Sequence, residues 1–254
     1  MSCLFSWTKR TDFSGIEKWD VSNVSNMYAM FDNCKTFNQD ISGWDVSNVE
    51  NMSHMFTYCS TFNQDLSSWD VSKVTNMEGM FWGCKTFNQP LNDWDVSKVE
   101  TMDSMFSRCY FFNQDLSSWD VSSVKNMAGM FDDCTTFNQD ISSWDVSKVE
   151  YMASMFSGCE SFNQPLNDWN VSEVKDMSYM FEDCKTFNQD ISGWDVSKVE
   201  NFSRMFDNAI SFNQDISSWD VSNVKNMEDM FENCPIDNSN KPSQEQSSVK
   251  RNKL

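Results

Sequence analysis

Nine cysteines and two rows of aspartates are the residues of this chain whose types and spacing could do chemistry. Eight of the cysteines, Cys34, Cys59, Cys84, Cys109, Cys134, Cys159, Cys184 and Cys234, share one recurring site, and Ala209 fills that site once. An alanine there means that a small apolar group suffices, so the preferred reading is a buried, reduced thiol packing as a small hydrophobe. Disulfides between neighbouring copies would need an oxidising compartment and Cα atoms within about 7 Å. Zinc would need closely spaced ligands, yet no two cysteines lie closer than 25 residues and His54 is the only histidine. His54 stands at a variable position and is expected on the solvated surface.

The aspartates fall into two series. Asp40, Asp65, Asp115, Asp140, Asp190 and Asp215 form one, and Asp45, Asp70, Asp95, Asp120, Asp145, Asp195 and Asp220 the other. Stacked carboxylates repel unless solvent, backbone donors or cations compensate. Calcium is one solution. Pro90 and Pro165 interrupt the first row and Asn170 the second, so turn formation through side chain to backbone hydrogen bonds is preferred. Neither row brings unlike groups together once, as an active site must. With no Gly-rich phosphate loop and no nucleophile in a recognisable setting, no enzyme activity and no cofactor are expected.

Recognition chemistry is the remaining candidate. Tyr58, Trp82, Arg108, Tyr110 and Phe111 occupy nearby offsets in three consecutive copies of a repeat, at positions that other copies fill mostly with polar residues. Tyrosine, tryptophan and arginine dominate binding hot spots, so these five form the expected partner-binding patch.

Such a patch needs a scaffold, and the scaffold is periodic. Trp19 recurs at 44, 69, 94, 119, 144, 169, 194 and 219, every 25 residues, and Phe37-Asn38-Gln39 returns as far as Phe212-Asn213-Gln214. Within one unit Trp44 and Val46 lie two apart, as in a strand, while Val49, Met52, Met55, Phe56 and Cys59 follow helical spacing. Ser47 and Glu50, three apart, resemble a helix-capping box. A single unit is too small to bury its aromatics, but stacked units can, with like residues in ladders and Asn38, Asn63 and Asn88 bonded down the stack. The sequence therefore predicts an α/β repeat solenoid, a right-handed leucine-rich-repeat-like coil with one short strand and one short helix per 25-residue unit. It divides into an N-terminal cap with a degenerate repeat over 1–18, the tandem array over 19–234 and a disordered polar tail over 235–254.

The pattern Phe-Asn-Gln-Asp-Ile-Ser-x-Trp-Asp-Val-Ser-x-Val-x-Asn-Met-x-x-Met-Phe resembles the mycoplasma-type surface lipoprotein repeat of unknown function, grouped with BspA-like leucine-rich repeats, over roughly residues 16–234. That resemblance implies a surface-exposed solenoid tied to adhesion. The chain shows neither a signal-peptide pattern nor a lipidation cysteine, and no apolar run long enough for a transmembrane segment. A net charge of −19 makes nucleic acid an unexpected partner. The expected function is a non-catalytic interaction or adhesion module for a protein or glycan, with self-association possible. A cation-stabilised structural or self-assembling repeat is the alternative.

Overall fold

The computed structural model describes residues 1–243. The chain winds into coils of one repeat each, stacked so that equivalent residues lie over one another. Met52, His54, Phe56 and Tyr58 donate their backbone N–H groups to the carbonyls of Asn76, Glu78, Met80 and Trp82 in the next coil. The intervening residues turn inward: Met55, Thr57 and Cys59 donate to the carbonyls three residues back, and Ser53 donates to the Asn51 side chain. From 52 to 59 every backbone donor is thereby satisfied, alternately between coils and within one.

This arrangement overturns the α/β expectation. Among the described residues the only helical pieces are the 3₁₀ turns Ile16–Lys18 and Asn238–Asn240, and pairing of strand type is confined to single parallel bridges such as Asn26 with Asn51 and Asn51 with Asn76. The apolar spacing has another cause. Ile41 to Trp44, Val46 to Val49, Met52 to Met55, Phe56 to Cys59 and Cys59 to Phe62 each span a β-turn closed by a bond from the fourth residue's N–H to the first residue's carbonyl, at 2.8 to 3.1 Å. Core residues sit at the corners of these turns, so they recur every three residues.

Two left-handed residues per coil forbid a helix. His54 and Tyr58 have φ of 57° and 55°, and Gly79 with Gly83, Ser104 with Arg108 and Gly129 with Asp133 repeat the pair. A residue with positive φ cannot continue a right-handed helix. The capping box is not formed either: the Ser47 N–H and hydroxyl both donate to the Asp45 carboxylate, at 3.1 and 2.6 Å.

One core runs the length of the stack. Phe31, Phe56, Phe81 and Phe106 are fully buried with parallel rings 5.7 to 5.8 Å apart, and Phe37, Phe62 and Phe87 form a second column beside them. In the 25-residue series from Trp44 to Trp219 each indole N–H crosses to the preceding coil, as from Trp69 to the Ile41 carbonyl at 3.2 Å. The Asn38 side-chain oxygen accepts from the Asn63 N–H and the Gln64 amide, and the same link repeats to Asn213. On another edge Glu100, Lys125, Glu150, Lys175, Glu200 and Lys225 alternate in sign up one column, with ion pairs Glu100 to Lys125, Glu150 to Lys175 and Glu200 to Lys225.

Both ends carry further coil. Cys3, Phe5 and Trp7 donate to the carbonyls of Tyr28, Met30 and Asp32, and the Phe5 ring stacks on Phe31 at 5.6 Å. Residues before Phe13 thus extend the stack. At the other end Ile236 is buried, Asp237 donates its N–H to Asn213 and the Ile216 N–H reaches the Asn240 carbonyl. Residues 235–243, read from the sequence as the start of a polar tail, therefore cover the last coil. The rest of that tail, 244–254, lies outside the described residues.

Candidate functional site

The residue before each cysteine position is left-handed in every coil. Seven of the nine are the types that tolerate this: Asn33, Gly83, Asp133, Gly158, Asp183, Asn208 and Asn233. The other two are Tyr58 and Arg108, and both line one pocket of about 280 Å³ together with Lys35, Ser60, Gly83, Lys85 and Tyr110.

Neighbouring coils build the pocket. The Tyr58 ring lies on Gly83 so closely that a methyl there would come within 2.5 Å of it. Behind it the Trp82 ring packs at 5.3 Å. Lys85 places its ammonium 6.0 Å above the Tyr110 ring, and Arg108 Nε lies 3.6 Å from the half-exposed Asp133 carboxylate. Among the described residues neither Lys35 nor Lys85 has a carboxylate within ion-pair distance. Three cations thus converge on one pocket of a chain whose net charge is −19.

Of the five residues named from the sequence, Tyr58, Arg108 and Tyr110 line the pocket. Trp82 packs against Tyr58, and among the described residues its buried indole N–H has no hydrogen-bond partner. Phe111 is 61% exposed and is not among the lining residues. It stands in a column where Thr61, Thr86 and Thr136 donate their hydroxyls to the preceding coil. Sequence reasoning missed Lys35, Ser60, Gly83 and Lys85. The signal for the lysines was their column, which runs Lys35, Ser60, Lys85, Tyr110 beside the column of Tyr58 and Arg108.

The other candidate chemistries have structural explanations. Cys59, Cys84 and Cys109 are buried, and each thiol donates to a phenylalanine carbonyl of the preceding coil at 3.0 to 3.1 Å. Burial pushes these thiols well above their usual range, and that of Cys34 up to about 12. Both aspartate rows hold turns: Asp40 accepts from Ser42 and Asp45 from Ser47, and these donors keep both carboxyls below the usual value. Further acids, Asp132, Glu182 and Asp183, lie where burial raises them. Among the described residues no three His, Cys, Asp or Glu side chains are placed to hold a metal ion together.

One position corrects the surface expectation. His54 is half-buried, with its ring over Gly79, edge-on to Tyr28 at 5.9 Å, and Nδ1 3.2 Å from the Thr57 hydroxyl. Beside it Ser53 and Thr57 are buried, and the Thr57 hydroxyl donates to the Gly79 carbonyl at 2.7 Å.

The chain matches the family described as Mycoplasma protein of unknown function, DUF285, over residues 1–111, 89–186 and 167–253. It belongs to that family. That family is a repeat family of unknown function. No curated protein matches the chain. No helix among the described residues is long and apolar enough to cross a membrane.

Proposed function

We propose that this member of the family is a non-catalytic interaction module that holds an acidic group of a protein or glycan partner in the pocket between Tyr58, Lys85, Arg108 and Tyr110. One observation carries the reading. Both bulky side chains that stand at the left-handed position before the cysteine, Tyr58 and Arg108, belong to the lining of this one pocket. A left-handed non-glycine residue costs about 1–2 kcal/mol, and asparagine, aspartate or glycine relieves that strain elsewhere in the column. Strain retained where a pocket forms points to binding. The resemblance to surface-exposed repeat proteins supports adhesion as the setting, with the stack displaying the pocket on its edge.

The test uses Tyr58→Asn and Arg108→Asn. Each variant should be more stable by about 0.5–1 kcal/mol in urea unfolding, because the new residue suits the backbone. Each should also lose binding to the acidic members of a panel of immobilised acidic, neutral and basic peptides and glycans. A protein that binds none of the acidic members, or variants that bind them as the parent does, would refute the proposal.

A further inference from the structure

The charge inside the pocket specifies its ligand more narrowly than an acidic group. Lys35 and Lys85 are exposed, without carboxylate partners among the described residues, and Arg108 shares its charge with Asp133. About two positive charges therefore remain uncompensated. A carboxylate or sulfate monoester brings one negative charge, whereas a phosphate monoester carries about −1.5 to −2 at neutral pH and offers three acceptor oxygens. The donors suit those oxygens: two ammonium groups, a guanidinium and the hydroxyls of Tyr58 and Tyr110.

The rest of the lining specifies what carries the phosphate. Tyr58, whose ring fills the space left by the missing side chain of Gly83, and Tyr110 give the pocket aromatic walls. A volume of about 280 Å³ lies at the small end for ligand pockets, enough for one ring with its substituent. Aromatic walls favour a flat aromatic ring in offset or edge-on packing. Beyond Arg108 the surface turns acidic at Asp133, which disfavours a ligand with further negative charge.

We infer that the pocket between Lys35, Tyr58, Lys85, Arg108 and Tyr110 binds a phosphate monoester carried on an aromatic ring, as in a phosphotyrosine side chain whose neighbours in the peptide are neutral or basic. The inference rests on the interaction reading above and narrows it to one chemistry.

The experiment is calorimetric titration of the full chain with phenyl phosphate, phenyl sulfate, inorganic phosphate and glucose 6-phosphate. Phenyl phosphate should bind at least tenfold more tightly than each of the other three. The sulfate keeps the ring but has one charge fewer, inorganic phosphate lacks the ring, and the sugar phosphate replaces a flat ring with a puckered, hydroxylated one. Lys35→Ala and Lys85→Ala, both at exposed positions, should each weaken phenyl phosphate at least tenfold while leaving the melting temperature unchanged. Equal binding of phenyl sulfate would overturn the dianion, and equal binding of inorganic phosphate or glucose 6-phosphate would overturn the aromatic carrier. No binding of phenyl phosphate, or binding indifferent to both lysine variants, would overturn the assignment altogether. If phenyl phosphate fails while acidic panel members still bind and Tyr58→Asn abolishes that binding, this inference falls and the interaction reading stands. If both fail, both are wrong.

Discussion

Tyr58 and Gly83 show how single residues of this repeat are chosen in pairs across coils. The Tyr58 ring occupies the space where a Gly83 side chain would lie, and Gly83 itself has a φ of 73°. Gly83→Ala should therefore destabilise the protein by about 1–3 kcal/mol, from overpacking and backbone strain together. Placed in a Tyr58→Asn background, the same change should cost only the backbone part, and urea unfolding of the four proteins in a double-mutant cycle measures the difference. The cysteines make a second prediction at this scale. Cys3 is exposed, whereas Cys34, Cys59, Cys84, Cys109, Cys134, Cys159 and Cys184 are buried, and burial holds those thiols protonated. Iodoacetamide should label Cys3 quickly in the native protein and the seven buried thiols only after unfolding, as read by intact mass. Rapid native labelling of Cys109 would contradict the packing described for it.

At the scale of the element, the turn replaces the helix, and this is where the sequence misleads. Val46, Val49, Met52 and Met55 are three apart without a break, a spacing that β-turn corners satisfy and that drifts off one face of a 3.6-residue helix. The glycines carried the same message: Gly79, Gly83, Gly129 and Gly158 all occupy the two left-handed positions. The period, the buried columns and the asparagine ladder were legible because each depends only on identical residues returning every 25 positions. The local backbone was not, since i to i+3 spacing is shared by helix and turn and most left-handed positions hold residues other than glycine. In the pocket, Tyr58, Arg108 and Tyr110 were legible as departures from the other copies. Lys35 and Lys85 were not, because lysine also appears in their column at Lys185, where it pairs with Glu160.

The turns also set the response to acid. Serine donors hold Asp65, Asp95 and Asp140 below their ordinary value. Stability from these groups is present above the ordinary aspartate value near 3.9 and is lost as pH falls through the lower folded values. Asp132, Glu182 and Asp183 act with the opposite sign. Burial raises them, so their contribution is full below the ordinary carboxylate range and lost as pH rises through their folded values. The melting temperature should peak in mild acid and fall on both sides. Glu182→Gln combined with Asp183→Asn should flatten the fall toward neutral pH and leave the acid side unchanged, as checked by circular dichroism melts from about pH 3 to pH 8.

For the whole molecule, contacts run almost entirely between adjacent coils, so stability is a sum over coils and their junctions. The pocket draws on residues between Lys35 and Tyr110, and coils beyond it are dispensable for binding. Deletion of 137–161 should leave a folded protein of lower melting temperature that binds phenyl phosphate as the parent does. Loss of binding on that deletion would mean that distant coils shape the pocket.

The alternating glutamate and lysine column turns a stack of near-copies into one with odd and even members. Removing 137–161 leaves Lys125 facing Lys175, whereas removing 137–186 leaves Lys125 facing Glu200 and keeps the alternation intact. Each exposed ion pair is worth only about 0.2–1 kcal/mol, yet between Glu100 and Lys225 the sign of the mismatch is the same at every junction that slips by one coil. A growing or swapped array would thus be steered toward steps of two repeats, and the column works as a parity check on a scaffold whose core alone could not tell one coil from the next.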